Sequence, residues 1–211
     1  MTRVAFFVDG FNLYHSMMSD SDLRKAKWLD LSKLASSLIS GGQSVSGIYY
    51  FTAYTPWDQA KQRRHKTYVR ALENAGVNVV LGVFRLKPRR INVRIEQRRE
   101  VDLQLTYNSY EEKRTDVNIA LYLHKLAFND VYDEAFVISG DSDLVPAVIE
   151  VKDTFKKSVR VILPPRQKAK ELCNAANSKK KLQRLHFHKN QFPLSITPAK
   201  GPLIECPQEW H

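Results

Sequence analysis

Residues 139–144 read SGDSDL and directly follow the apolar run Ala135, Phe136, Val137 and Ile138, so Asp141 and Asp143 stand two positions apart where a buried strand should end. Two carboxylates about 4 Å apart repel by roughly 4 kcal/mol at an effective dielectric near 20, so a fold that crowds them supplies a cation or raises a pKa. The beginning of the chain has the same grammar: residues 4–8, VAFFV, read as a fully buried strand and lead at once into Asp9, Gly10, Phe11 and Asn12. Ligands of open α/β sheets collect outside the carboxyl ends of the strands. Asp9, Asp141 and Asp143 therefore converge if their two strands are neighbours in one parallel sheet. A fourth acid, Asp116, opens an apolar helical stretch, with Thr115 placed to cap it.

Each of these acids has a plain structural use when taken singly. Asp9 suits a turn or a helix cap, Ser142 or Asp143 could cap the helix that starts near Leu144, and Asp116 would complement a helix dipole, worth about 0.3–1 kcal/mol. Four acids at strand ends and helix starts exceed what capping needs, and together they indicate a cation site. Hard oxygen ligands without His or Cys favour Mg²⁺ or Mn²⁺ over zinc, with substrate phosphates and waters completing the octahedron.

The rest of the sequence fits a phosphorylated, polyanionic substrate. Lys and Arg total 33 against 22 acids, a net charge of +11. That balance favours nucleic acid as partner and, with a carboxylate-held cation, phosphodiester hydrolysis. The six histidines lack HExxH or paired zinc spacing, and no phosphate-binding loop of the GxxxxGK[ST] or GxGxxG kind occurs. Cys173 and Cys206 lie far apart and outside any CxxC pairing, which indicates reduced thiols. The DxDxT motif of a haloacid-type phosphatase does not follow the first strand. A Toprim-like, DNA-directed enzyme also carries a DxD after a strand, but it needs a glutamate at an earlier strand end, where this chain has Asp9. No apolar run approaches the ~20 residues of a membrane span, and no signal-peptide pattern is visible, so a cytoplasmic protein without membrane contact is expected.

These acids must be positioned by alternating strands and helices. Apolar runs rich in Val, Ile, Phe and Tyr predict strands over 3–8, 47–54, 77–84, 135–139 and 159–163. Helices are predicted over 29–39, 56–74, 116–128 and 144–155. The order implies an α/β fold with a mostly parallel central sheet. Residues 85–107 break the rhythm: seven Lys and Arg accompany two runs of strict alternation, 91–96 and 101–105, which read as a basic β-hairpin projecting from the sheet. It is either a solvated edge protected by charge or an arm that grips nucleic acid. We take residues 1–165 as one domain with this insertion at 85–110, and 166–211 as a basic C-terminal extension. Lys179, Lys180 and Lys181 fall on a helix in this reading, and the prolines beyond His188 indicate a loosely packed, extended tail.

Three segments taken together, VAFFVDGFNLY, EKRTDVNIALYL and FVISGDSDLVPAV, resemble the NYN domain family, the LabA-like branch of the PIN-like nucleases. The resemblance covers residues 3–163 and implies a PIN-like three-layer sandwich whose acidic pocket binds Mg²⁺ or Mn²⁺ and cleaves RNA. It places the family's first aspartate on Asp9 and its motif asparagine, which orients substrate or water, on Asn12. It also implies Asp116 for the middle motif, with Lys113 before it as a phosphate contact, and Ser139, Asp141 and Asp143 for the last. The middle motif commonly reads KGxD, whereas here Arg114 stands at the glycine position. The expectation is thus a metal-dependent endoribonuclease. Its ligands would be Asp9, Asp116, Asp141 and Asp143, and Asn12 and Ser139 would support them. Lys113, Arg114, Arg94, Arg98 and Arg99 would contact the RNA backbone. The alternative is a non-catalytic RNA-binding or regulatory protein that keeps the pocket. The sequence leaves a homodimer open.

Overall fold

The computed structural model describes residues 1–97 and 99–210, and for 92–97 and 99–103 the backbone alone. A six-stranded, wholly parallel sheet forms the middle layer, in the order β3 (Asn78–Leu81), β2 (Gln43–Thr52), β1 (Thr2–Asp9), β6 (Glu134–Ile138), β7 (Ser158–Leu163) and β8 (Ser178–Lys181). Strands buried on both faces need near-continuous apolar sequence, which the cores of β1 and β6 supply. Alternate residues of β1 feed two cores. Val4, Phe6 and Val8 pack under α1 (Gly10–Met18), α2 (Leu31–Leu38) and α3 (Gln59–Asn74), through residues such as Leu13, Leu34 and Leu72. Ala5 and Phe7 pack under α4 (Thr115–Phe128) and α5 (Val145–Asp153), meeting Ile119, Leu123, Val148 and Val151, with Leu172 from α6 (Lys170–Ala175). Helices on both faces of the sheet make the three-layer sandwich expected of a PIN-like fold. Among the described residues no helix is long and apolar enough to cross a membrane.

The order β2–β1–β6 decides where a site can form. β1 pairs with β2 on one side and with β6 on the other, Val8 lying opposite Ile138. The chain order reverses between β1 and β6, so a crevice opens at their carboxyl ends. Asp9 and the SGDSDL turn are thereby brought side by side.

Several elements differ from the sequence reading. Residues 77–84 are two strands, not one, because Gly82 breaks the run: its N–H donates to the Thr52 carbonyl at 2.7 Å, and the chain then leaves the sheet as β4 (Val83–Gln97). β4 pairs antiparallel with β5 (Arg99–Lys113), giving the expected hairpin, separate from the central sheet. Helix α1 was not foreseen; β1 runs into it without a loop, Asp9 ending the strand and capping the helix at once.

Lys179, Lys180 and Lys181 lie on β8, not on a helix. This is the sheet's edge, where lysine is tolerated and discourages further pairing. The C-terminal segment is docked, not loose. Helix α7 (Arg184–Lys189) holds Phe187 in the core, and Phe192, Ile204 and Cys206 are buried beyond it. A two-stranded ribbon, β9 (Ser195–Ile196) with β10 (Ile204–Glu205), follows. Trp210 then lies against Trp28 and Tyr68, at ring-centroid distances of 6.2 and 6.1 Å.

Candidate metal centre

At the switch point, oxygens of Asp9, Asp116 and Asp141 all lie within 4.8 Å of one another. The local chemistry of each segment fixes its carboxylate. Asp9 is buried: one oxygen accepts from the Asn12 N–H at 2.9 Å, the other from the Ser139 hydroxyl at 2.9 Å. Ser139 is fully buried and accepts in turn from the Asp141 N–H at 3.0 Å. The Asn12 side-chain oxygen receives the Gly140 N–H at 2.9 Å, which clasps the first turn of α1 to the SGDSDL turn. Asp141 accepts from the Asp143 N–H, an Asx cap on the short turn at Ser142–Leu144 that precedes α5. That cap falls on Asp141 and not on Ser142 or Asp143.

Asp116 sits in the first turn of α4, as expected, but the capping group is not Thr115. Thr115 is itself the first helical residue, and Glu112 Oε1 accepts from its N–H at 3.2 Å and from its hydroxyl. Arg114, at the N-cap position, adopts a left-handed backbone with φ of +82°. That conformation suits glycine and costs other L-residues about 1–2 kcal/mol, a physical reason for the glycine commonly found in the family motif at this place.

The electrostatics are those of a site short of positive charge. Burial pushes the Asp9 carboxyl up, with Asp141 and Glu112 adding to it, while the bonds from Asn12 and Ser139 oppose. Asp116 is pushed up to about 6, first by burial and then by the negative charges of Asp141, Asp9, Glu112 and Asp143. Asp143 contributes to that field, but it is exposed and stands outside the group of three. The donors are all hard oxygens, gathered closer than mutual repulsion favours, and so suit a small divalent cation.

The triad opens into a cleft of about 460 Å³ with one aromatic wall. Trp57 stacks on Tyr110 at 4.3 Å and meets Phe84 edge-on at 4.9 Å, and Phe84 in turn meets Phe11 at 5.5 Å. Half of the Trp57 surface is exposed. Asn12, Lys61, Glu112 and Gln167 also line the cleft. The aromatic wall and Glu112 were missed by sequence reasoning. Glu112 and Tyr110 share one face of β5, so period-two alternation out of the acidic turn was the available signal.

The expected backbone-binding residues are placed differently. Lys113 lies on the opposite face of β5 from Glu112, its ammonium 3.0 Å from Glu111, which Lys87 also approaches at 2.9 Å. Arg114 is exposed, and neither residue lines the cleft. Arg98 falls outside the described residues, and of Arg94 and Arg99 only the backbone, on β4 and β5, is described. A second basic surface adjoins the cleft through Gln167: Lys168, Lys170 and the β8 lysines Lys179–Lys181 line a groove of about 530 Å³.

Comparison with known proteins agrees with this fold. The sequence model of the NYN domain matches residues 3–182. Among characterised proteins the chain is 22% identical, over 245 residues, to a 6-hydroxy-3-succinoylpyridine 3-monooxygenase of Pseudomonas putida, covering 99% of this chain and 75% of that one. Among solved structures it is similar to a protein of unknown function from Vibrio parahaemolyticus, with a TM-score of 0.58 at 21% identity, over 87% of this chain and 94% of the other. At that identity the likeness is one of fold.

Proposed function

Because the chain belongs to the NYN domain family, a family of PIN-like nucleases, we propose that it is a metal-dependent endoribonuclease hydrolysing RNA phosphodiester bonds in the acidic cleft. One observation carries the reading: three carboxylates from three separate segments meet within 4.8 Å at the carboxyl ends of adjacent parallel strands. Asp9, Asp116 and Asp141 would hold Mg²⁺ or Mn²⁺. When bound, such a cation supplies Lewis-acid polarisation of the phosphoryl group and makes water a usable nucleophile at neutral pH.

The chain's own groups do the positioning. Ser139 and Asn12 fix the orientation of Asp9 and the spacing of the two acidic strand ends. Glu112 anchors the start of α4 and so aims Asp116, while its own charge adds to the demand for a cation. The stacked Trp57 and Tyr110 offer an exposed π-face, which favours unpaired bases and hence a single-stranded substrate. Lys61 in the cleft and the lysines of the adjoining groove are suited to the backbone phosphates. Those contacts position the strand without reading its sequence.

The name of the Pseudomonas relative points to a different chemistry, oxidation of a pyridine ring. The donor set here argues against importing it: non-haem iron oxygenases use two histidines and one carboxylate, whereas this group is three carboxylates. The test is incubation of generic single-stranded RNA with the protein in Mn²⁺ or in chelator, alongside Asp141→Asn. Cleavage that requires Mn²⁺ and disappears in the variant is the expected result. Binding of RNA without cleavage under any metal would convert the reading to a non-catalytic RNA-binding protein, and cleavage surviving both chelation and Asp141→Asn would remove the metal mechanism.

A further inference from the structure

Next to the acidic cleft lies a second cavity, of about 210 Å³, which shares Phe11, Thr55 and Lys61 with it as a common wall. Its lining is aromatic, with Tyr14, Tyr50, His65, Tyr68 and Trp210 contributed by α1, β2, α3 and the C-terminal segment. The volume restricts what can enter. A cavity of about 150 Å³ takes benzene, and drug-sized ligands need roughly 300 Å³ or more. One planar ring system therefore fits, and an extended ligand does not. Gly10 shapes the floor, where a side chain would run into the Phe51 carbonyl oxygen at 2.6 Å and the Tyr50 ring at 2.7 Å.

The charged side chains lining this cavity are cations, Lys27, Lys61 and Arg64, beside the neutral Thr52, Thr55 and tyrosine hydroxyls. Lys27 lies 5.7 Å from the Trp210 ring centroid and Lys61 lies 5.2 Å from that of Tyr14. Arg64 completes the set and is paired with Glu209 at 2.9 Å. Among the described residues neither Lys27 nor Lys61 has a carboxylate within ion-pair distance. Lys27 is held below its ordinary pKa by burial and by the positive charges of Arg64 and Lys61, against the opposing charge of Glu209. Lys27, Lys61 and Arg64, set against Glu209, leave an excess positive charge beside the aromatic chamber that an anionic ligand would relieve, and the proposed hydrolysis uses Lys61 alone of the three.

We infer that this cavity binds a planar nitrogen heterocycle bearing an anionic group, and that in the working enzyme it receives the nucleobase of a nucleotide flanking the scissile phosphate. Lys61, on the wall between cavity and cleft, sits where the intervening phosphate must pass. The choice of RNA as the source of that ring rests on the reading of the cleft above; the aromatic chamber and its cations do not. Unstacking one base into the cavity would hold the strand in register against the triad and would favour unpaired RNA.

The experiment uses the full chain in chelator, so that neither metal nor cleavage enters. Binding of 5′-AMP, 5′-UMP and nicotinate is measured by calorimetry, with a non-cleavable oligonucleotide as competitor. The mononucleotides should bind and the oligonucleotide should displace them. Lys27→Gln should weaken that binding about tenfold, the worth of one charge-assisted contact. Tyr14→Leu should weaken it as well, both variants keeping the parent melting temperature within a few degrees. Asp141→Asn should abolish cleavage in a separate assay and leave mononucleotide binding no weaker, so failure of the hydrolytic reading would be visible independently. Nicotinate binding with no competition from mononucleotide or oligonucleotide would overturn the nucleobase assignment. Absence of all binding, or binding indifferent to both Lys27→Gln and Tyr14→Leu, would overturn the site itself.

Discussion

Replacing Asp116 by Asn should make the metal-free protein more stable, although the residue is proposed to be essential. Its carboxyl is pushed up to about 6 by burial and by the charges of Asp141, Asp9, Glu112 and Asp143. Rising that far from the ordinary carboxylate value corresponds to roughly 3 kcal/mol at 1.36 kcal/mol per pH unit. The group is only half-buried, so solvent and salt screen most of this, leaving about 1 kcal/mol. Its place in the first turn of α4 opposes by about 0.3–1 kcal/mol, yet the carboxyl lies above its ordinary value all the same, so repulsion and desolvation win. The folded state holds this proton up to about pH 6 while the unfolded chain releases it near 4, so stability is lost as pH rises through that interval. Thermal unfolding in chelator and low salt at pH 8 should therefore show Asp116→Asn melting about 2–3 °C above the parent. The gap should shrink at pH 5, where Asp116 is protonated in the folded parent. Added Mn²⁺ should stabilise the parent and reverse the order. A variant that melts lower than the parent at pH 8, or a gap unchanged at pH 5, would refute the idea of a cluster strained by like charge.

Other substitutions probe the supports of the site. In Gly82→Ala the new methyl would lie 2.7 Å from both Glu112 Oε1 and Thr115 Oγ1 and 2.8 Å from the Lys113 carbonyl oxygen. Displacing the start of α4 should cost about 1–3 kcal/mol in urea unfolding and lower RNA cleavage at least tenfold with every carboxylate still present. Arg114→Gly relieves a left-handed backbone, partly offset by the chain entropy of glycine. Urea unfolding should register a gain of about 0.5 kcal/mol. Exchanging Lys179, Lys180 and Lys181 for Gln should reduce the slope of log affinity against log salt for single-stranded RNA by up to about 2, since each phosphate contact contributes about 0.7; an unchanged slope would take the strand off that groove.

The site was legible where a short segment carries its own evidence. Apolar runs that end in Asp9 or in SGDSDL announce strand termini loaded with acid, and the buried strands β1 and β6 follow from the same residues. Their adjacency was not legible, because the order β2–β1–β6 is set by packing on both faces of the sheet. Glu112 was hidden within a polar alternating strand, and Phe11, Trp57, Phe84 and Tyr110 come from segments that only the hairpin base brings together. Lys179–Lys181 have little strand propensity, and they pair because the parallel edge of β7 offers unpaired backbone groups. The prolines of the C-terminal segment led to an extended, loosely packed tail being expected, whereas its strands β9 and β10 are two residues each and its apolar side chains are buried. Nothing local showed that Phe192, Ile204 and Trp210 would dock across the helices α2 and α3, a long-range hydrophobic effect that fixes where that segment ends up.

The most direct test is anomalous diffraction from crystals soaked in Mn²⁺. The account predicts a peak about 2.1 Å from carboxylate oxygens of Asp9, Asp116 and Asp141, and its loss in Asp141→Asn crystals. Saturating Mn²⁺ that leaves this triad empty, or settles at another group of acids, would contradict it.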